Sequence, residues 1–147
     1  MKKAPGLEQG SVIAMPMGEE RWVLAQVLVP GITFYLGAAP VAFSGLPEAD
    51  QIKGLQLSVF SWTNDAEVYR GNWKLLGTQP LQAAPNPDIA YKVEVSGQMM
   101  VEAFNGQLLR EFDPRTDENL PYRTSRSPLL VQDMVQAACL TVKTRPT

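Results

Sequence analysis

The chain of 147 residues contains no histidine and a single cysteine, Cys139. Without histidine there can be no Ser-His or Cys-His nucleophilic pair, no histidine-ligated zinc, and no use of the commonest general base. A lone cysteine excludes an internal disulfide and a thiolate cluster, and it fits a reducing compartment. Lys and Arg number 13 and are scattered. No basic stripe is present to neutralise phosphates, so nucleic acid is not expected as a partner. No apolar run approaches the ~20 residues of a membrane span, and no membrane association is expected. Met1-Lys2-Lys3 leads into Ala4-Pro5-Gly6-Leu7-Glu8 and not into an apolar segment, so no secretory signal is expected. The glycine-rich phosphate loops and the Gly-x-Ser-x-Gly nucleophile elbow are missing as well.

What is present points to a folded, soluble, cytoplasmic protein. Hydrophobic residues make up 45% of the chain, with 5 Phe, 4 Tyr and 3 Trp, and the formal net charge is −2. A chain of this length buries roughly 68–70% of its unfolded surface and needs no metal, cofactor or disulfide to fold. The expected organisation is one domain over residues 1–147, with 1–9 and 143–147 as flexible ends.

Twelve prolines and eleven glycines punctuate segments of strand length. Ser11–Met17 and Arg21–Val29, joined by Gly18-Glu19-Glu20, predict an antiparallel hairpin, with Pro16 at an edge or strand end. Residues 32–43, interrupted by Gly37 and Pro40, predict one short strand and a loop. Leu55–Trp62 alternates, placing Leu55, Leu57 and Val59 on one face and Phe60 and Trp62 on the other. Trp73–Gly77 is a further short strand. Tyr91–Val95, Met99–Phe104 and Gln107–Phe112 predict a three-stranded meander, turned at Ser96-Gly97 and at Asn105-Gly106. The Asn-Gly pair favours a type I′ turn, with positive φ at both central residues. Ser127 as N-cap and Pro128 at the first position open one helix. Its predicted inner stripe is Leu130, Val131, Met134, Val135 and Ala138, with Gln132, Asp133 and Gln136 outward. The fold class is therefore α+β, mostly β: a curved antiparallel sheet of about six to eight short strands with one C-terminal helix over about 128–140.

With so much chemistry excluded, carboxylates are the remaining reactive groups. Asp65 and Glu67 flank Ala66, and Asp113, Asp117 and Glu118 share a loop. A carboxylate-dependent hydrolase could use such pairs, but loop acids are favoured for turn chemistry alone, and these read as solvated turn and cap residues. The loop also lacks the alternating Asp and Gly of a calcium site. Cys139 reads as a buried structural thiol. Trp22, Trp62 and Trp73 read as core residues, with binding anchors as the other possibility. By elimination the expected function is non-catalytic protein binding. Asp65, Glu67 and Tyr69 in one loop, and Glu19 and Glu20 at the hairpin tip, are the candidate partner-binding residues. Acidic loops beside an aromatic suit a basic protein partner.

The order of segments resembles the immunity protein 26 family of bacterial polymorphic-toxin systems. Gly10-Ser11-Val12-Ile13-Ala14-Met15-Pro16-Met17 is similar to that family's opening strand, with a hairpin return like Arg21–Leu28. Gly71-Asn72-Trp73-Lys74-Leu75-Leu76-Gly77 with Pro80-Leu81 is similar to its Gly-x-Trp-aliphatic-aliphatic-Gly segment. Pro85 or Pro87 then precedes Tyr91-Lys92, where the family carries proline and an aromatic-Lys pair. The likeness spans roughly residues 10–112 and departs from the family at Trp22-Val23-Leu24-Ala25-Gln26, where members often have aromatic-Gly-x-Gly-Arg. It implies a cytoplasmic protein that blocks a cognate toxin by binding it, with no catalytic residues to transfer; no metal or cofactor is expected from the residues themselves. A sheet-based adaptor or an enzyme accessory domain is the alternative from the residues alone.

Overall fold

The computed structural model describes residues 6–85 and 87–142. The chain forms two compact units: Met1–Pro85 with Ser125–Thr147, and the segment Asn86–Thr124 between them in sequence. Among the described residues the fold is mostly β, with eight strands in two antiparallel sheets and a C-terminal helix. Of the two ends expected to be flexible, residues 1–5 and 143–147 lie outside the described residues. Further in, Leu7 packs against the core, the Glu8 amide donates to Ser11 Oγ at 2.9 Å, and Gln9 Nε2 donates to the Leu28 carbonyl at 3.1 Å.

The first unit holds strands β1 (Ser11–Pro16), β2 (Arg21–Val29), β3 (Thr33–Ser44), β4 (Val59–Asn64) and β5 (Lys74–Thr78), in the spatial order β4-β3-β2-β1-β5. The expected hairpin is β1–β2, with Pro16 at the end of its strand. Its tip is tight: Arg21 N–H donates to the Gly18 carbonyl at 3.0 Å, and Gly18, Glu19 and Glu20 all have positive φ. Ser11–Met15 and Val23–Leu28 are buried without alternation, because both faces of these central strands are covered. On one face Ile13, Met15, Val23, Ala25, Val27, Phe34, Leu36 and Ala38 form the core with Trp73, Val131 and Val135. Trp73 is 1% exposed. Its indole N–H meets Gln132 Oε1 at 2.8 Å, so the largest buried side chain leaves no orphan donor.

Three local expectations are corrected here. Residues 32–43 are not a short strand and a loop but most of one long strand, β3. Pro40 fits because it lies beyond the β4 pairing, which ends at Ala38, and at a bulge where residues 40–42 face Val23 alone; no ladder donor is missed there. Second, β4 begins at Val59, after a 3-10 turn over Ala49–Ile52. Leu57 and Phe60 both lie over Gly37, whereas Val59 packs toward the core, so Leu57 and Val59 do not share a face. Third, the helix α3 (Pro128–Val142), capped by Ser127 Oγ accepting from Leu130 N–H at 3.2 Å, is rotated from its predicted stripe. Val131 and Val135 are buried, Cys139 is only partly buried against the core, and Leu130 is 48% exposed. Gln132 turns inward to serve Trp73.

The second unit is the expected meander: β6 (Ala90–Val95), β7 (Gln98–Ala103) and β8 (Leu108–Glu111). The type I′ geometry is found at Ser96-Gly97, where both φ values are positive. At Asn105-Gly106 it is absent: only Gly106 has positive φ. Gly106 N–H donates to the Ala103 carbonyl at 2.9 Å, and the β7–β8 register shifts at Val101/Glu102. The loop is thus one residue longer and closes with a glycine bulge. Tyr91 and Phe104 are buried with their ring centroids 6.2 Å apart, and Val101 is buried on the opposite face of the sheet. The Arg123 guanidinium lies 4.6 Å from the Tyr91 ring centroid and donates to Glu102 Oε1 at 3.1 Å and to the Phe104 carbonyl at 2.8 Å.

Candidate functional site

The carboxylates singled out in the sequence divide into structural and surface groups. Glu67 sits in the one-turn helix α1 (Ala66–Tyr69) and is 4% exposed. This corrects its reading as a solvated turn acid. Its Oε1 accepts from Asn72 Nδ2 at 2.9 Å and its Oε2 from Arg70 Nη1 at 2.7 Å. These two hydrogen bonds, the Asn72 bond foremost, hold its pKa below the ordinary glutamate value. The Glu67 carbonyl also accepts the Asn72 and Trp73 amides, at 3.0 and 3.1 Å. Glu67 therefore fixes the turn that delivers Trp73 to the core. Asp65 is half-buried at the N-cap of α1, and Tyr69 is 46% exposed.

In the second unit Asp113 caps the short helix α2 (Pro114–Asp117), accepting from Arg115 N–H at 3.0 Å. That part of the turn reading holds. Asp117 departs from it, being 2% exposed. It accepts both terminal nitrogens of Arg110, with Nη2 to Oδ1 at 2.8 Å, and the Asp113 amide at 2.8 Å. Arg110 first, and the backbone donor second, bring its pKa down to about 2. Among the described residues no group of three or more Asp, Glu, Cys or His is gathered as a metal would require.

The first unit has an open cleft of about 450 Å³ whose lining comes from the segments that carry these groups, although Glu19, Glu20, Asp65 and Tyr69 do not themselves line it. The β1–β2 hairpin, whose tip carries Glu19 and Glu20, supplies Pro16 and Trp22 to its wall. The α1 turn, which carries Tyr69, supplies Glu67, Gly71 and Asn72, with Lys74 following on β5. The first turns of α3 supply Leu129 and Gln132. Glu19, Glu20 and Lys74 are exposed, and Leu129 is 55% exposed. Glu19 lies 3.6 Å from Arg21 in an open ion pair, a contact of little energetic weight. The two segments marked in the sequence, 64–70 and the first hairpin, thus contribute to the walls of the same cleft. Sequence reasoning missed Lys74 and Gln132. The available signal for Lys74 was a lone cation between Trp73 and Leu75 in a strand. Gln132 carried none, because its inward turn depends on where Trp73 points.

A second polar residue missed in the sequence is structural. Gln26 is fully buried. Its amide donates to the carbonyls of Gly10, Gln79 and Pro80 at 3.3, 3.0 and 3.0 Å, and its carbonyl accepts Gln82 N–H at 2.8 Å. It ties the N-terminal segment and the exit of β5 to the centre of the sheet.

No helix among the described residues is long and apolar enough to cross a membrane. Compared with protein-family models, curated proteins and solved structures, the chain finds no significant match.

Proposed function

We propose that the protein is a non-catalytic, cytoplasmic binder that neutralises a cognate bacterial toxin by forming a complex with it, as its likeness to immunity protein 26 implies. The observation that carries the binding role is the division of labour among its carboxylates. Glu67 and Asp117 are consumed by internal hydrogen bonds, while Glu19, Glu20 and Tyr69 stand exposed on the two segments that wall one cleft. Exposed charges speed encounter with a basic partner, and an aromatic with a preformed pocket slows release. The cleft is built on strands and helices anchored in the core, which limits the ordering cost of association.

The test is coexpression with the protein encoded in the adjoining reading frame. Protection of the host cell and recovery of a one-to-one complex are expected. A neighbour that is no toxin, or a toxin that neither binds nor is blocked, overturns the proposal. Steady binding to a housekeeping protein without protection would favour the adaptor reading.

A further inference from the structure

Three apolar residues from two elements line the cleft together with polar groups that have capacity to spare. Pro16 and Trp22 come from the hairpin and Leu129 from α3. The Glu67 carboxylate is ion-paired with Arg70 and accepts a hydrogen bond from Asn72. The Lys74 ammonium forms no ion pair among the described residues and is exposed. Asn72 spends its amide nitrogen on Glu67, leaving its oxygen available. Gln132 spends its oxygen on Trp73, leaving its amide nitrogen available. With Arg70 offsetting Glu67, Lys74 leaves the cleft carrying one positive charge in a protein of net charge −2. The volume of about 450 Å³ lies within the range of specific ligand sites, about 300–1,000 Å³.

We infer that this cleft receives a segment of the protein partner in which an aromatic side chain stands beside a carboxylate. The ring packs on Trp22, Pro16 and Leu129, and the carboxylate is taken by the Lys74 ammonium and the Gln132 amide. The acidic hairpin tip and the Lys74 ammonium then select opposite charges on the partner, which fixes the register of docking. The inference rests on the binding role proposed above and names the chemistry recognised by that site.

Capped tetrapeptides are suitable probes, used with the full chain and no toxin. Acetyl-Gly-Phe-Asp-Gly-amide should produce saturable NMR shifts at the Trp22 indole and at the Lys74 and Leu129 amides. Asn in place of Asp should weaken binding about two- to fivefold, the worth of a contact with an exposed ammonium. Ala in place of Phe should abolish it. Lys74→Gln should bring the Asp peptide to the affinity of the Asn peptide and leave the Asn peptide unchanged, a coupling that general loss of folding cannot produce. No saturable shift up to about 10 mM, beyond the weak end of specific recognition, overturns the inference. Equal binding of the Asp and Asn peptides, or indifference to Lys74→Gln, also overturns it. Toxin protection without peptide binding removes this inference alone, and peptide binding without protection removes the immunity role alone.

Discussion

The ring of Phe60 lies across Gly37 so closely that a Cβ at residue 37 would stand 2.8 Å from Phe60 Cε1 and 3.1 Å from Leu57 Cδ1. The two residues are direct cross-strand partners in β3 and β4, and Phe60 also stacks with Tyr35 at 6.1 Å. Gly37→Ala should therefore destabilise the first unit by about 1–3 kcal/mol, the range for overpacking. Phe60→Leu should recover part of that loss in the double variant. Urea unfolding of the four proteins measures the coupling, and strictly additive effects would contradict direct contact.

Glu67 and Asp65 should behave as different kinds of residue despite their spacing. Glu67→Ala removes two hydrogen bonds to a buried carboxylate, and because their donors Asn72 and Arg70 are exposed and can turn to water, a loss of about 1–2 kcal/mol is expected. Asp65→Asn should change stability by less than about 0.5 kcal/mol. Thermal unfolding separates them, and equal shifts would contradict the assignment.

Gln26 and Thr63 make an opposite pair of buried polar residues. Gln26→Leu leaves the Gln82 amide and the carbonyls of Gly10, Gln79 and Pro80 without this partner, and should cost about 2–4 kcal/mol. The Thr63 hydroxyl is buried with no hydrogen-bond partner among the described residues, so Thr63→Val should be neutral or stabilising. A destabilising Thr63→Val would show that the hydroxyl has a partner after all.

Much of the fold could be read from local chemistry, and the misses share a cause. The first hairpin, the meander and the Ser127-Pro128 helix start depend on turn and cap residues that act over a few positions. The length of β3 escaped because Gly37 and Pro40 are strand breakers in isolation. Each is tolerated through a distant neighbour: Phe60 and Leu57 cover Gly37, and a bulge opposite Val23 accommodates Pro40. The inward turn of Gln132 likewise depends on Trp73, far away in sequence. At the candidate site the exposed groups Glu19, Glu20 and Tyr69 were legible. The burial of Glu67 was not, since it follows from Asn72 and Arg70 folding back onto it.

The Asp117–Arg110 pair gives the second unit an acid limit. Asp117 titrates at about 2 in the folded state, against ~3.9 for an unfolded aspartate. Because the folded value is depressed, its stabilisation is complete above about pH 4 and is lost as pH falls toward 2. NMR signals of Tyr91 and Val101 followed through acid titration should report loss of the meander in that window. Asp117→Asn should remove this component of the pH dependence, and an undiminished acid transition in that variant would contradict it.

The two glycine turns of the meander differ in what they require. Val in place of Gly97 or Gly106 should cost a kcal/mol or more, since both have positive φ. Asn105→Ala should cost only about 0.5–1 kcal/mol, the worth of its side-chain hydrogen bond to the Gln107 amide. An Asn105 variant as damaging as the glycine variants would restore the type I′ assignment that the backbone angles exclude.

The central claim is that the cleft face binds a toxin, and its most direct measurement is the association and dissociation kinetics of the complex. The variants are Tyr69→Ala, Lys74→Glu and a charge reversal at Glu19 with Asp65, each read at low and high salt. Tyr69→Ala should speed dissociation about tenfold or more, the effect of removing an aromatic anchor. The Glu19 and Asp65 reversal should slow association at low salt and lose that effect at high salt. Lys74→Glu should weaken the complex at both. Kinetics identical to the parent for all three, at every salt concentration, would contradict the account and move the interface to another face of the protein.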